Sequence, residues 1–309
     1  MKIFLAGATG AVGRPLLTRL LAAGHEVTAT SRSAAKVAAL EAQGARAIVL
    51  DAFDAAAVEA AILQAKPEVV IHQLTALPTD ASPRQMKAAL AETGRLRQET
   101  VPDFAAAARD AGARRLIVQS IAFATTPEGP PVLDEDAPLW LDGPGDIGAA
   151  ARPLRVMEAA VLGAGIEGVV LRYGFFYGPG TWYSKTGTLG RMIAKRQVPL
   201  IGSGEGRQSF VHVDDAAEAT VLALDGGASG IYNVTDDAPA TQKEWLPAIA
   251  RELGAKPPRH APAWLARLVA GDGLVYYATT LRGASNARAK KAFGWQPRAW
   301  RDGFHAVFG

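Results

Sequence analysis

The sequence contains no cysteine. The chain therefore has no disulfide bond, no thiolate ligand for a metal and no cysteine nucleophile. Its histidines, at positions 25, 72, 212, 260 and 305, do not follow the spacing of metal ligands. We accordingly expect no metal site, and any catalytic group has to come from other residues.

Long apolar runs and long basic runs are also missing. No uninterrupted apolar segment approaches the roughly 20 residues that span a bilayer. The 33 Lys and Arg residues are spread along the chain, and the net charge is +3. We therefore expect binding neither to a membrane nor to nucleic acid. Because the first predicted strand begins at Lys2, we expect no signal peptide and a cytoplasmic protein.

The composition is otherwise that of an ordinary globular protein. Hydrophobic residues make up 49% of the 309 residues and charged residues 20%, which excludes a disordered or fibrous chain. The length exceeds that of a usual single domain. We therefore predict a large domain with a smaller lobe.

The first half of the chain alternates short apolar segments with segments of helical periodicity. This pattern is typical of a parallel sheet with helices on both faces. Pro102 is expected to kink or divide the helix predicted over Gln85–Ala111. The sequence thus predicts an α/β fold of the Rossmann type, with a doubly wound parallel sheet. The predicted strands are Lys2–Ala6, Glu26–Thr30, Ala47–Leu50, Val69–Gln73, Leu116–Ser120 and Gly168–Arg172, with two more near Ser209–Val213 and at Ile231–Val234.

A glycine-rich turn follows the first predicted strand and opens a predicted helix. Glycines let the backbone approach a pyrophosphate, and the helix N-terminus directs free N–H groups at the anion. A merely structural turn is the alternative, but the place at the start of a βαβ unit favours dinucleotide binding. The residues of the turn are Gly7, Ala8, Thr9, Gly10, Ala11, Val12 and Gly13.

The end of the second predicted strand indicates which dinucleotide binds. Enzymes that use NAD place a carboxylate there for the ribose 2′-hydroxyl, whereas this chain has Ser31 and Arg32. An arginine suits a 2′-phosphate, although a solvated loop charge is the alternative. We therefore predict NADP(H). Its binding domain is predicted over residues 1–172 and about 208–236, and the substrate lobe over 173–207 and 237–309.

Several segments, in this order along the chain, resemble a known family. Together they resemble the extended short-chain dehydrogenase/reductases, and among them the NAD-dependent epimerase/dehydratase group. The resemblance runs through nearly the whole chain. The segments are GATGAVGRPL (7–16), IHQLTA (71–76), RRLIVQS (114–120), LRYGFFYGPGT (171–181), FVHVDDAAEA (210–219) and IYNVTDD (231–237).

The resemblance implies further contacts to the cofactor. For Asp51 a role in a turn or as a helix cap is the alternative, and Asp54 could equally fill it. The implied residues are Asp51 and Ala52 at the adenine, Gln73, Leu74 and Thr75 after the fourth strand, and Tyr173 and Gly174 at the nicotinamide.

The sequence departs from the family at its catalytic pair. Members carry Tyr-x-x-x-Lys on the helix before the sixth strand, where the tyrosine supplies a proton and the lysine holds the nicotinamide ribose. Alignment on Glu158 places Ala150 at the tyrosine position and Leu154 at the lysine position. The motif occurs nowhere else in the chain. The resemblance therefore implies an atypical member.

Another group has to supply any proton. The family's active-site serine is matched by Ser120, and the other candidates are Tyr177 and Tyr183, the latter beside Lys185. A serine hydroxyl is too weak an acid to serve alone. We expect Ser120 to orient the substrate and one of the tyrosines to have the larger effect on turnover.

The predicted substrate is an apolar or aromatic small molecule. Relatives that act on sugar nucleotides carry an arginine where Gln208 stands, which disfavours that class. Phe175, Phe176, Tyr177, Trp182 and Tyr183 are instead expected to form an aromatic surface at the substrate site. A role in the core of the small lobe is the alternative for each of them.

Three functions agree with these observations. The favoured one is an NADP(H)-dependent oxidoreductase with a non-standard proton donor. The alternatives are a non-catalytic regulator that binds NADP(H), and an epimerase or dehydratase that retains its cofactor. A monomer or a homodimer is expected in each case.

Overall fold

The computed structural model describes residues 1–78, 80, 83–144 and 146–309. Its strands are β1 (Lys2–Ala6), β2 (Glu26–Ser31), β3 (Arg46–Val49), β4 (Val69–His72), β5 (Arg115–Ile121), β6 (Val132–Leu133), β7 (Glu167–Tyr173), β8 (Phe175–Tyr177), β9 (Leu200–Ile201), β10 (Arg207–Gln208), β11 (Phe210–His212), β12 (Gly230–Val234), β13 (Ala240–Thr241), β14 (His260–Ala261) and β15 (Gly283–Ala284).

Its helices are α1 (Gly13–Ala22), α2 (Ala34–Glu41), α3 (Ala55–Ala65), α4 (Pro83–Arg95), α5 (Val101–Asp110), α6 (Asp146–Leu162), α7 (Thr188–Ala194), α8 (Val213–Leu222), α9 (Gln242–Glu252), α10 (Ala263–Thr279), α11 (Ala287–Phe293) and α12 (Trp300–Phe308). A π-helical turn over Leu96–Thr100 joins α4 to α5. Across the described ranges, no helix combines the length and the apolar character needed to cross a membrane.

In the described part of the chain, seven parallel strands form the central sheet, in the order β12-β7-β5-β4-β1-β2-β3. Alternate residues of β1 point to opposite faces. Leu5 packs with the core beneath α1 and α8, and Phe4 packs on Phe104 of α5 on the other face. Helices α3, α5 and α6 cover that second face. The predicted α/β fold of the Rossmann type is therefore confirmed.

The long helix predicted over Gln85–Ala111 is divided, as expected. The break lies at the π-helical turn just before Pro102, which occupies the first turn of α5. A proline is tolerated there because the first N–H groups of a helix have no intrahelical acceptor. The turn matters for the site, because it packs against α6.

Short strand pairs and the last helices form a second apolar core. Strand β8 pairs with β11 in parallel, and α9 and α12 pack beside them around Phe210, Trp245 and Phe304. Strand β12, which lies within the predicted 208–236 segment, returns the chain to the edge of the large sheet. The division into a nucleotide domain and a substrate lobe stays a prediction.

Candidate functional site

The predicted cofactor residues lie at one edge of the central sheet. Because the strands are parallel, their carboxyl ends share that edge. Gly7, Arg32, Gln73 and Gly174 follow β1, β2, β4 and β7 there. The sheet thus brings four segments of the sequence prediction to one place.

The glycine turn presents a bare backbone at this edge. Gly7 has a φ of +96°, and a Cβ on it would lie 2.7 Å from the carbonyl oxygen of Gln73. A Cβ on Gly13 would lie 2.0 Å from the carbonyl oxygen of Gly7, so α1 packs directly on the turn. A Cβ on the exposed Gly10 would meet that same oxygen at 3.3 Å. Gly7 and Gly13 are thus required by packing, and Gly10 leaves surface open.

The start of helix α1 fits a pyrophosphate. Its N-cap residue, Val12, is buried and provides no side-chain cap. The N–H of Arg14 donates to the carbonyl oxygen of Gly10 at 3.1 Å, whereas those of residues 11–13 have no backbone acceptor among the described residues and can meet an anion. Thr9 and Ala11 are half-buried beside it. Gly180 of the loop after β8 approaches Ala11, at 3.8 Å from the position of a Cβ. The residues present therefore fit the phosphates of a dinucleotide.

Arg32 is exposed after β2, next to the half-buried Ser31. Its Nη1 lies 3.3 Å from Oε1 of Glu92 on α4. Both side chains are largely exposed, with 65% and 41% of their surfaces accessible, and such ion pairs contribute little free energy. The guanidinium can exchange this partner for a phosphate.

The two aspartates near the adenine position have different local roles. Asp54 caps α3, because its Oδ1 accepts the N–H of Ala57 at 3.0 Å. Asp51 is exposed and accepts the N–H of Phe53 at 3.1 Å. The helix-cap alternative therefore belongs to Asp54. The contacts of Asp51 and of the buried Ala52 with adenine stay predictions.

The side chain of Tyr173 points into the protein rather than to the open edge. It is fully buried, and its hydroxyl contacts Thr220 Oγ1 at 2.6 Å and accepts the Gln73 amide N–H at 3.0 Å. Burial raises the pKa of Tyr173 to about 12. Leu74 and Thr75 continue half-buried after Gln73. A Cβ on Gly174 would lie 2.3 Å from the carbonyl oxygen of Ser209, so this position has no room for a side chain.

Ser120 belongs to a buried polar cluster. Its hydroxyl donates to Oε1 of Glu158 at 2.7 Å, and none of its surface is exposed. Arg172 binds both oxygens of the same carboxylate, with Nε 2.8 Å from Oε1 and Nη2 2.7 Å from Oε2. Ser120, Glu158 and Arg172 thus form one hydrogen-bonded unit between β5, β7 and α6.

Helix α6 has apolar residues at the two positions predicted to match the family's catalytic pair. Leu154 is fully buried in the core that α5 and α6 share with the sheet. Ala150 is half-buried one turn earlier. Neither side chain can donate a proton or bind a ribose hydroxyl.

The two candidate tyrosines occupy different surroundings. Tyr177 is fully buried between His212 and Phe304, and its hydroxyl has no hydrogen-bond partner in the described structure. Burial raises its pKa above the ordinary range, which makes it a weaker proton donor. Tyr183 is half-buried and donates to Oε1 of Gln208 at 3.3 Å. The structure therefore does not bring Tyr177 to the open edge, and the catalytic roles of Tyr183 and Ser120 stay predictions.

An aromatic wall stands beside the ends of β5 and β7. The rings of Phe123 and Phe175 stack with centroids 4.0 Å apart, and Tyr277 of α10 meets both edge-on at 6.3 and 6.1 Å. All three are half-buried, so part of each ring remains accessible. We call Phe123, Phe175 and Tyr277 the aromatic wall. Such a surface accepts a flat apolar ligand.

Phe175 was predicted from the sequence, whereas Phe123 and Tyr277 were not. Tyr277 belongs to α10, which is distant in the sequence, and no local pattern indicates that it lies at the site. Phe176 lies on the opposite side of β8, where it packs on Tyr173, because successive side chains of a strand alternate. Trp182 donates its indole N–H to the carbonyl oxygen of Pro78 at 2.8 Å and so ties the loop after β8 to the loop after β4.

No group of three or more acidic or histidine side chains that could hold a metal ion occurs among the described residues. Arg97 of the π-helical turn is a further charged residue in this region, and it is 7% exposed. It could not be predicted as a site residue, because nothing in the sequence pattern separates it from the exposed arginines around it.

A sequence profile of the NAD-dependent epimerase/dehydratase family matches residues 3–235. The chain belongs to this family. A relative from a Streptomyces species, named 3-diazoavenalumate denitrifying reductase, is 49% identical over 309 residues, covering 98% of this chain and 99% of the relative. The chain is therefore an enzyme of oxidoreductase type, and the alternative of a non-catalytic regulator is set aside.

Solved structures of the epimerase/dehydratase family have the same fold. UDP-glucose 4-epimerase of Thermotoga maritima, crystallised with UDP-glucose, superposes with a TM-score of 0.77 at 19% identity and covers 100% of this chain and 97% of its own. The Thermus thermophilus enzyme of the same name, in complex with NAD, gives 0.72 at 25% identity, covering 100% and 98%. Relatives of this chain thus bind a nicotinamide dinucleotide and small-molecule substrates.

Proposed function

We propose that this chain is an NADPH-dependent reductase that replaces the diazo group of an aromatic compound by hydrogen. The observation that carries the proposal is the 49% identity, along nearly the whole chain, to a reductase whose name specifies a diazo substrate. The lack of a proton-donating pair on α6 and the presence of the aromatic wall support it independently.

The chemistry explains why the usual pair is dispensable. The cofactor supplies a hydride when it is bound. An aryl diazonium ion that takes up this hydride loses dinitrogen, Ar–N₂⁺ + H⁻ → Ar–H + N₂, and charge and atoms balance without an added acid. Reduction of a carbonyl would instead form an alkoxide that a general acid has to protonate. The absence of a proton donor at Ala150 and Leu154 therefore does not hinder the first reaction, but it would slow the second.

The residues at the carboxyl edge of the sheet then have separate roles in binding the cofactor and the substrate. The glycine turn and the start of α1 bind the pyrophosphate, and Arg32 binds the 2′-phosphate. The aromatic wall stacks on the ring of the substrate and keeps water from the hydride path. Of the three predicted catalytic side chains, it is Tyr183 that packs on Phe175, with centroids 6.3 Å apart, and we propose that it orients the substrate. Ser120 is proposed to support this orientation through Glu158.

Turnover of an aryl diazo compound with NADPH deuterated at C4 tests the reaction. We expect one dinitrogen per NADPH oxidised and deuterium on the ring carbon that carried the diazo group. Phe123→Leu removes one ring of the wall and is expected to raise KM by about tenfold, the loss typical of one aromatic contact. Phe123→Tyr, which keeps the ring, serves as its matched control. Oxidation of NADPH without dinitrogen, or a product without deuterium, would contradict the proposal.

Preference for NADPH over NADH is tested by fluorescence titration. Arg32 can bind the 2′-phosphate and no carboxylate repels it there, so wild type is expected to bind NADPH more tightly. Arg32→Ala should reduce the ratio of the affinity for NADPH to that for NADH. Glu92→Gln removes the charged partner of Arg32 and should increase this ratio. Equal affinities of the wild type for the two cofactors would rule out this assignment.

A further inference from the structure

Among the described residues, Arg97 is a buried cation without a partner. It lies in the π-helical turn between α4 and α5, and only 7% of it is exposed. No described residue forms a hydrogen bond or an ion pair with its guanidinium group. An arginine has five N–H donors, and a buried charge whose donors remain unused is costly. Burial accordingly lowers the pKa of Arg97 to about 10.

Glu158 does not neutralise this charge. Its carboxylate opposes the effect of burial on the pKa of Arg97, but both of its oxygens already bind Arg172, and one of them also accepts the hydroxyl of Ser120. Arg97, Arg172 and Glu158 together therefore carry one excess positive charge. A buried site of this kind is suited to a ligand that brings electron-rich oxygen atoms.

The helix packing places the turn that carries Arg97 against α6, the helix that carries Leu154. A Cβ on Gly94 of α4 would lie 3.3 Å from Cγ of Pro153 on α6, so the two helices touch at this level. Leu96 packs in the same core as Leu154. In the sequence, Arg97 comes three residues after Gly94 and Glu158 five residues after Pro153. Glu158 lies one helical turn beyond Leu154.

The same turn also reaches the carboxyl end of β4. His72, the last residue of β4, has its Nε2 3.2 Å from Oγ1 of Thr100 in the π-helical turn. Burial, with a smaller contribution from the positive charge of Arg97, lowers the pKa of His72 to about 4. The turn that carries Arg97 thus lies between the end of β4 and α6.

We propose that Arg97 provides the cationic donor that position 154 lacks, and that its guanidinium binds the hydroxyl oxygens of the nicotinamide ribose. The inference rests on the proposed use of NADPH. Two N–H groups of a guanidinium are spaced to meet two neighbouring oxygens, which a vicinal diol presents. The family's lysine is thereby replaced by a cation from a different element of the fold.

The test compares two ligands of which only one has the nicotinamide half. NADPH contains the nicotinamide ribose with its phosphate and the nicotinamide ring, whereas 2′,5′-ADP lacks all three. We expect Arg97→Met to weaken NADPH binding by about tenfold or more, as for loss of a charge-assisted contact, and to leave the affinity for 2′,5′-ADP unchanged. Arg97→Lys, which keeps the charge, should retain part of the NADPH affinity. The melting temperature of the cofactor-free Arg97→Met protein should rise, because an unpaired buried charge is removed.

Three results for Arg97→Met would overturn the inference. The first is binding of NADPH as tight as that of wild type, and the second is an equal loss of affinity for both ligands. The third is a change confined to the KM of the diazo substrate, which would assign Arg97 to the substrate instead. If wild type binds NADH in preference to NADPH, the proposed cofactor is wrong, and the same comparison with NADH and ADP still decides the role of Arg97.

Discussion

Gly10→Val is expected to abolish binding of NADPH and to leave the protein folded. Gly10 is exposed at the glycine turn, and a Cβ there meets the carbonyl oxygen of Gly7 at 3.3 Å, a tight contact that a small shift relieves. The two methyl groups of valine would project over the start of α1, where the pyrophosphate has to approach the backbone. Fluorescence titration measures the loss of binding, and circular dichroism measures the fold.

Gly13→Val is the matched comparison within the same turn. Its Cβ would lie 2.0 Å from the carbonyl oxygen of Gly7, so α1 would have to move away from β1. We expect this variant to lose the fold, or to melt far below wild type, as substitutions that force overlap in a packed core do. If Gly10→Val binds NADPH normally, the phosphate site lies elsewhere on the protein.

The sequence was sufficient to predict the central sheet because each of its strands is a short apolar segment followed by a break. Strand β1 was predicted with its observed bounds, Lys2–Ala6. Strand β7 was predicted over Gly168–Arg172 and extends by one residue at each end. Periodicity identifies such segments well, because a strand buried on both faces has few alternatives.

The place of the glycine turn in the fold was predictable from the sequence, whereas its contact with the cofactor stays a prediction. The glycine turn lies at the predicted edge, since its conformation is determined by residues that are adjacent in the sequence. Side-chain direction was not predictable in the same way. Tyr173 points into the core and Phe176 away from the aromatic wall, because each direction depends on the partner strand and on the helix packed above it.

Contacts between residues that are distant in the sequence were not predicted. Tyr277 meets Phe123 across about half of the chain, and no local pattern connects the two. The burial of Arg97 could not be predicted for the same reason, since it depends on the packing of α4 on α6 at Gly94 and Pro153. These contacts are therefore ones that tertiary structure alone brings together.

Glu158→Leu is expected to lower the free energy of unfolding by about 3–5 kcal/mol, the usual effect of removing one partner of a buried ion pair. Both partners are inside the protein, with 7% of the Glu158 side chain and 4% of the Arg172 side chain exposed. Loss of the carboxylate leaves Arg172 without its two bonds to Glu158 and leaves Arg97 beside a second unpaired cation. Urea unfolding followed by circular dichroism measures the change.

Ser120→Ala tests the smallest member of the same cluster. It removes one hydrogen bond to Glu158 and leaves the ion pair intact. We expect a loss of about 1 kcal/mol in the free energy of unfolding, as for a single hydrogen bond. An effect as large as that of Glu158→Leu would mean that the hydroxyl, rather than the charge, determines the stability of the cluster.

Removing a cation together with the carboxylate should restore part of the lost stability. In Glu158→Leu with Arg172→Met, no unpaired charge remains at position 172, so the double variant is expected to be more stable than Glu158→Leu alone. Glu158→Leu with Arg97→Met should recover stability for the same reason, although Arg97 forms no direct bond to the carboxylate. If the change in the free energy of unfolding of each double variant equals the sum of the changes in its two single variants, the cations do not depend on Glu158, and the excess positive charge assigned to this cluster is wrong.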